Sequence, residues 1–439
     1  MDAAVQRRAV REINAAIDEQ ISQGANPDDA VEMIDAAVRT WINSAAGSGD
    51  FALTPMLHRQ LAVAVHNERY GLGRLQPLVD DPEVENIDAN GFDQVWVSYS
   101  DGRVEQAAPI ADNDVHLIEM IRRWSAFLGQ SSREFSSANP KVRLTLPDGS
   151  RMTAVMGVTP RPHLAVRKHR MVDVTLDDLV QSGTIDLTMR AFLGAAVRAK
   201  KNVIVSGGMG SGKTTMLRAL AAELPVDERI VTIESEYELG LHTVPHRHSN
   251  VVPMESRPAN AEGFGAVSLE ELIELAFRLN ARRIIVGEVL GAELLPMLTA
   301  MKHGGEGSLC TLHANEAAEV FSRMLILANS GTPTGLSRPE TLYSLVGTAV
   351  DFVVQLGHRT VSEGGERVNQ RFVTEVLEVL PPGEGTEPAR TQVFAPGPDG
   401  RAVPRFMPSC IDDLVSVGGL DGRLPAQLWA YSTTPDGVR

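Results

Sequence analysis

Cysteine is almost missing: Cys310 and Cys410 are the two in 439 residues. Two thiols exclude a disulfide framework and fit a reducing compartment. Aromatic residues make up only 5%, which disfavours a stacking platform for single-stranded nucleic acid. Positive charge is in deficit: 41 Lys+Arg against 56 Asp+Glu leave −15, so no nucleic-acid partner is expected along an extended face. No apolar run approaches the length that spans a bilayer. The opening MDAAVQRRAVREINAAIDEQ is charged throughout and lacks the apolar core of a secretory signal. Any work at a membrane is expected to be done from its side. What is present is an ordinary globular composition, 43% apolar and 22% charged, at a length suited to roughly two or three domains.

Residues 1–48 read as an N-terminal helical segment of two amphipathic helices. In the second, Asn26 suits the cap, Pro27 the first helical position, and Asp28 and Asp29 the positive end of the dipole. Val31, Ile34, Val38, Trp41 and Ile42 follow at helical spacing, and AAGSGD (45–50) reads as a linker. Residues 49–172 read as a smaller α+β domain. Helices are predicted over 53–70 and 114–128. Short strands are predicted at 84–87, 94–98, 102–105, 142–146, 151–155 and 164–167, separated by turns such as NGFD, SDG and PDGS. TPRP (159–162) reads as a rigid connection.

Residues 173–439 read as one domain with a C-terminal extension, within which 183–380 alternate strand and helix. Capping boxes stand at Thr175–Asp178 and Ser268–Glu271. Strands are predicted at 203–205, 230–233, 283–286 and 309–312. Helices are predicted from about Thr214, over 268–279, around Pro296 and from Asn315. This alternation predicts an α/β fold with a mostly parallel sheet covered on both faces. A further strand is predicted at 372–380, then Pro/Gly-rich chain and a last compact stretch over 404–431.

Gly207, Gly208, Met209, Gly210, Ser211, Gly212, Lys213 and Thr214 complete the pattern G-x-x-x-x-G-K-[ST], with Thr215 next, between a predicted strand and helix. Glycines let successive backbone N–H groups converge on phosphate oxygens, and the helix N-terminus adds its positive end. Lys213 is the cation for the outer phosphates, and the Thr214 hydroxyl is the Mg²⁺ ligand. Hydrolysis also needs a carboxylate to align water. Glu288 follows the buried strand RIIVG, at the edge where open α/β sheets place ligands. Glu234 ends IVTI in the same way, with Glu236 and Glu238 behind it. His313 closes LCTL, where an imidazole can face the outermost phosphate. His242, His246 and His248 lack a standard zinc-ligand spacing, and Cys310 reads as a small core residue.

In this order, VSGGMGSGKTT (205–215), VTIESEYEL (231–239), RRIIVGEVLGAE (282–293) and GSLCTLHAN (307–315) resemble the Walker A, Asp box, Walker B and His box of the type II/type IV secretion and type IV pilus ATPases. SRPANAEGFGAVSLEELIELAFRL (256–279), GLGRLQPLVDDPEVENIDANGFDQVWV (71–97), VRLTLPDGSRMTAVM (142–156) and TLDDLVQSGTI (175–185) are similar to the Tad-type pilus-assembly branch. The resemblance covers about residues 50–380.

It implies a PAS-like N-terminal domain and a RecA-like P-loop ATPase domain in a homo-hexameric motor using ATP and Mg²⁺. The motor would be cytoplasmic, peripherally associated with the inner membrane, and partnered by inner-membrane platform proteins of a pilus or secretion machine. By position, Lys213 and Thr214 take phosphate and Mg²⁺, Glu234 is the Asp-box acid, Glu288 the catalytic glutamate and His313 the His-box histidine. Arg167 matches best the arginine such motors bring from the N-terminal domain, with Arg143 and Arg151 as further candidates. Ser235, Leu290 and Gly305 depart from the pattern, where Asp, Arg and His are usual; this implies a slow or partner-activated member. The other readings are a nucleotide-gated scaffold with little turnover and a RecA-like nucleic-acid translocase.

Overall fold

The computed structural model describes residues 3–24, 26, 29–47, 54–128, 135–168, 173–259, 263–330, 338–363, 366–383 and 387–429. The chain divides into two compact units, Met1–Arg170 and Met171–Arg439.

The first unit opens with α1 (Ala3–Ser22), α2 (Ala30–Gly47) and α3 (Pro55–Tyr70). Ala9, Ile13 and Ile17 recur one turn apart on α1, as do Ile34, Val38 and Ile42 on α2 and Leu57, Leu61 and Val65 on α3; these stripes bury one another. α3, read from the sequence with the following domain, thus packs with the first two helices. α2 runs through Ala45 and Ala46 to Gly47, where a linker was expected, because alanine is the strongest helix former. Residues 48–50, Leu53, and the cap residues Pro27 and Asp28 lie outside the described residues.

Next come α4 (Gln76–Asp80), β1 (Val84–Asn90), β2 (Val95–Tyr99), β3 (Val104–Ala107), α5 (Asp114–Leu128), β4 (Lys141–Thr145), β5 (Arg151–Val155) and β6 (His163–Arg167). The strands form one antiparallel sheet in the order β3-β2-β1-β6-β5-β4. Alternate residues such as Leu144, Met152, Ala154, Leu164 and Val166 join Leu117, Met120, Ile121 and Trp124 of α5 in one core. The residues between them are largely exposed, as in a sheet covered on one side. Arg161 ties the TPRP connection down with 2.7 Å ion pairs to Asp93 and Asp114.

The second unit runs α6 (Leu176–Gln181), α7 (Leu187–Arg198), β7 (Val203–Gly207), α8 (Lys213–Ala221), β8 (Ile230–Glu234), β9 (Val251–Glu255), α9 (Leu269–Arg278), β10 (Arg283–Val286), α10 (Leu294–Lys302), β11 (Leu309–Leu312), α11 (Glu319–Ser330) and α12 (Pro339–Ala349). It ends with β12 (Phe352–Glu363), β13 (Glu366–Leu380), β14 (Ala389–Pro396), β15 (Ala402–Pro404), α13 (Ile411–Ser416) and α14 (Leu424–Leu428). Both capping boxes form, at Thr175–Asp178 and Ser268–Glu271. Pro296 sits in the first turn of α10, where its missing N–H costs nothing. The helix expected from Asn315 starts instead at Glu319, whose Oε2 accepts from Asn315 N at 3.0 Å.

The sheet order is β15-β14-β13-β12-β7-β11-β10-β8-β9. Pairings from β12 to β9 are parallel, and the remainder are antiparallel. The parallel core strands are buried on both sides. Val203 and Val205 face α6, α7 and α8, whereas Ile204, Ile284 and Val286 face α9 to α12. β9, β12, β14 and β15 were not predicted. Pro253 masks β9 in the sequence and is tolerated because β9 is an edge strand.

Candidate functional site

The strand order sets the site. Along the C-terminal edge of the parallel strands, β7 leads into the glycine loop, β11 into His313, β10 into Glu288, and β8 ends at Glu234. Neighbouring strand tips therefore place the loop, the imidazole and the two carboxylates in a row.

In the loop, Gly210 (φ +71°) and Gly212 (φ +94°) occupy the left-handed region that favours glycine. Ser211 Oγ donates to Gly208 O at 2.9 Å and closes the loop, while Met209 is 82% exposed at its apex. Lys213 is buried at the first position of α8, with Thr214 and Thr215 half-buried beside it. Lys213 Nζ donates to Gly207 O at 3.1 Å and Gly208 O at 3.0 Å. It also lies 3.0 Å from His313 Nδ1. An ammonium only donates, so this contact assigns the ring proton to Nε2. That nitrogen lies 2.7 Å from Glu288 Oε1. The approach is close but off the hydrogen-bonding direction, so Oε1 is buried without a directed donor. Burial above all, then the Lys213 charge, pushes the His313 pKa down against the opposing pull of Glu288. The imidazole is neutral at pH 7 and can both accept and donate.

Glu234 stands one strand further along and is buried. Its Oε1 accepts from Glu238 N at 2.9 Å and Leu239 N at 2.8 Å, so the carboxylate shapes its own turn. Its side chain presses on Gly287, where a Cβ would lie 3.0 Å from Glu234 Cγ. Glu234 thereby supports the backbone immediately before Glu288. Arg167 ends β6 in the first unit, exposed and directly opposite Arg151; Arg143 lies on β4. Cys310 is a core residue whose thiol burial pushes up to about 12. His246 Nε2 lies 3.1 Å from Asp173 Oδ2, and His248 is buried.

Several supporting residues carried no sequence signal. Glu293 Oε1 accepts from Leu290 N and from Gly291 N, holding the chain after Glu288. Gln355 Nε2 donates to Ala314 O (3.2 Å) and Asn315 O (3.0 Å), holding the segment after His313. Arg371 Nε donates to Gly210 O at 2.9 Å from β13. Gln355 and Arg371 are paired across long sequence separations that no short spacing encodes, whereas Glu293 bonds back to the turn two and three residues before it.

The donors fit a nucleotide phosphate chain with Mg²⁺: a glycine loop at a helix N-terminus, a buried lysine, and a threonine hydroxyl in the first turn. Glu288, partly exposed beside the loop, carries a carboxylate of the kind that accepts a water proton.

The family model described as type II/IV secretion system protein matches residues 68–375. A Mycobacterium tuberculosis protein named for conjugal transfer is 32% identical over 336 residues, 74% of this chain and 89% of that relative. The type IV secretion system protein PtlH of Bordetella pertussis is 29% identical over 338 residues, covering 70% and 94%. Among solved structures, the VirB11 ATPase of the Brucella suis type IV secretion system, in complex with sulphate, is similar at 25% identity and TM-score 0.36, covering 70% of this chain and 93% of that one.

Proposed function

Because the chain belongs to the type II/IV secretion system protein family, we propose that it is an ATP-hydrolysing motor, ATP + H₂O → ADP + phosphate, that powers pilus assembly or protein secretion. It acts as a homo-hexamer at the cytoplasmic face of the inner membrane, against platform proteins of that machine. Among the described residues no helix is long and apolar enough to cross a membrane, and the membrane association proposed here is peripheral.

The observation that carries the reading is the row Lys213–His313–Glu288 beside the glycine loop. Loop amides from Gly207 to Thr215 and the Lys213 ammonium bind phosphate oxygens. Thr214 holds Mg²⁺, which when bound neutralises charge on those oxygens. Glu288 orients water and accepts its proton. His313 faces the Glu288 carboxylate, and Glu234 supports the backbone at Gly287.

The test is ATP binding and phosphate release by the full chain, read beside particle size by light scattering. Glu288→Gln is expected to keep ATP binding and abolish release, while Lys213→Ala loses both. Absence of ATP binding by the unaltered protein overturns the reading. Tight binding without turnover, platform proteins included, makes it a nucleotide-gated scaffold instead.

A further inference from the structure

β12 pairs in parallel with β7 as far as Leu356 opposite Gly207, and then continues to Glu363. The β12–β13 hairpin therefore overhangs the sheet edge where the glycine loop begins. Its antiparallel register sets Arg371 opposite His358, two residues beyond Leu356. Arg371 reaches the loop from there. Its Nε donates to Gly210 O at 2.9 Å, and its Cδ lies 3.4 Å from where a Cβ on Gly212 would be. Arg359 and Arg401 stack on Phe372 instead, so those neighbouring cations are committed elsewhere.

We infer that Arg371 is a positioning residue of the phosphate loop, pinning the Gly210–Ser211 peptide so that its amide stays available to an incoming di- or triphosphate. The inference rests on reading 207–214 as the phosphate loop.

In a trans peptide the C=O and the next N–H point in opposite directions. A guanidinium on Gly210 O therefore turns Ser211 N–H away from the hairpin. That N–H does point across the loop, where it donates a long hydrogen bond to Gly208 O at 3.4 Å, the bond a phosphate oxygen would replace. Ser211 N and Oγ fasten one side of this peptide to Gly208 O, and Arg371 fastens the Gly210 carbonyl on the other, at a glycine whose positive φ sets little steric barrier of its own. A rotated peptide would aim a carbonyl, not an amide, at the phosphates. Arg371 blocks that rotation before the ligand arrives, which is pre-organisation. Its charge also adds to the positive field of the loop.

The test uses the full chain with Arg371→Ala, Arg371→Gln and Arg371→Lys, and Lys213→Ala as reference. Binding of ATP, ADP and AMP is measured with steady-state hydrolysis and the melting temperature without ligand. Arg371→Ala and Arg371→Gln are expected to weaken ATP and ADP binding and raise KM about tenfold, the size of one hydrogen bond to a charged group. kcat stays within about threefold, AMP binding and the ligand-free melting temperature stay put, and Arg371→Lys recovers part of the affinity. ATP and ADP affinities unchanged in Arg371→Ala overturn the inference while leaving the motor reading intact. An equal loss for AMP, or a lowered ligand-free melting temperature, overturns it in favour of a general structural role. No nucleotide binding by the unaltered protein removes the loop reading and this inference with it.

Discussion

Lys213 Nζ and His313 Nδ1, 100 residues apart in the chain, lie 3.0 Å from each other. The pair ties the phosphate-loop lysine to the imidazole that faces Glu288. The lysine fixes the tautomer, and the tautomer places an N–H against the carboxylate. His313→Ala is expected to lower the rate of phosphate release about a hundredfold, within the range of positioned acid–base groups. ATP affinity should change by less than about threefold, because Lys213 keeps its place on the loop. Rapid-mix phosphate release beside equilibrium binding checks both numbers, and an unaltered rate removes His313 from the site.

Glycine is required unequally in the loop. A Cβ on Gly207 would collide with Ser211 Oγ and Leu356 O, while one on Gly208 would meet only Asn315 Oδ1 at 3.9 Å. Gly207→Ala should therefore destabilise the second unit by about 1–3 kcal/mol, the usual range for overpacking, and abolish ATP binding. Gly208→Ala should melt like the unaltered protein. Thermal unfolding of the two variants side by side decides the contrast.

Asn202 is a buried amide with all four hydrogen bonds made. Its Nδ2 donates to Met301 O (3.1 Å) and Ala349 O (2.7 Å), and its Oδ1 accepts from Gly307 N (2.8 Å) and Ser308 N (2.9 Å). Asn202→Asp keeps the shape but loses both donors and buries a charge. Each orphaned buried partner costs about 1–3 kcal/mol, so a loss of about 3 kcal/mol or more is expected. Denaturant unfolding measures it.

Burial, reinforced by the nearby Arg247 charge, pushes the His248 imidazole down to about 4. An unfolded histidine titrates near 6.5, so between roughly pH 6.5 and 4 the unfolded chain binds the extra proton. Stability from this group is present above pH 6.5 and is lost as the pH falls through that window. His248→Leu should flatten the acid limb of a plot of melting temperature against pH. An acid limb of unaltered slope in that variant assigns the sensitivity to other groups.

The sequence by itself determined the chemistry of the loop and the wrapping of its surroundings. The signature at 207–214, the two capping boxes and the short β-branched runs are local patterns, and their geometry follows from local sterics and hydrogen bonding. Glu288 and His313 were legible because each follows a recognisable buried strand. The tertiary structure decided who stands beside whom. β11 lies between β7 and β10, so the imidazole falls between the lysine and the glutamate, an order that no spacing along the chain encodes. The second half of β13 was legible as the strand predicted at 372–380, but β12 and the overhanging start of β13, and with it Arg371, were hidden because the chain there is polar; their pairing is specified by a partner strand and not by their own periodicity.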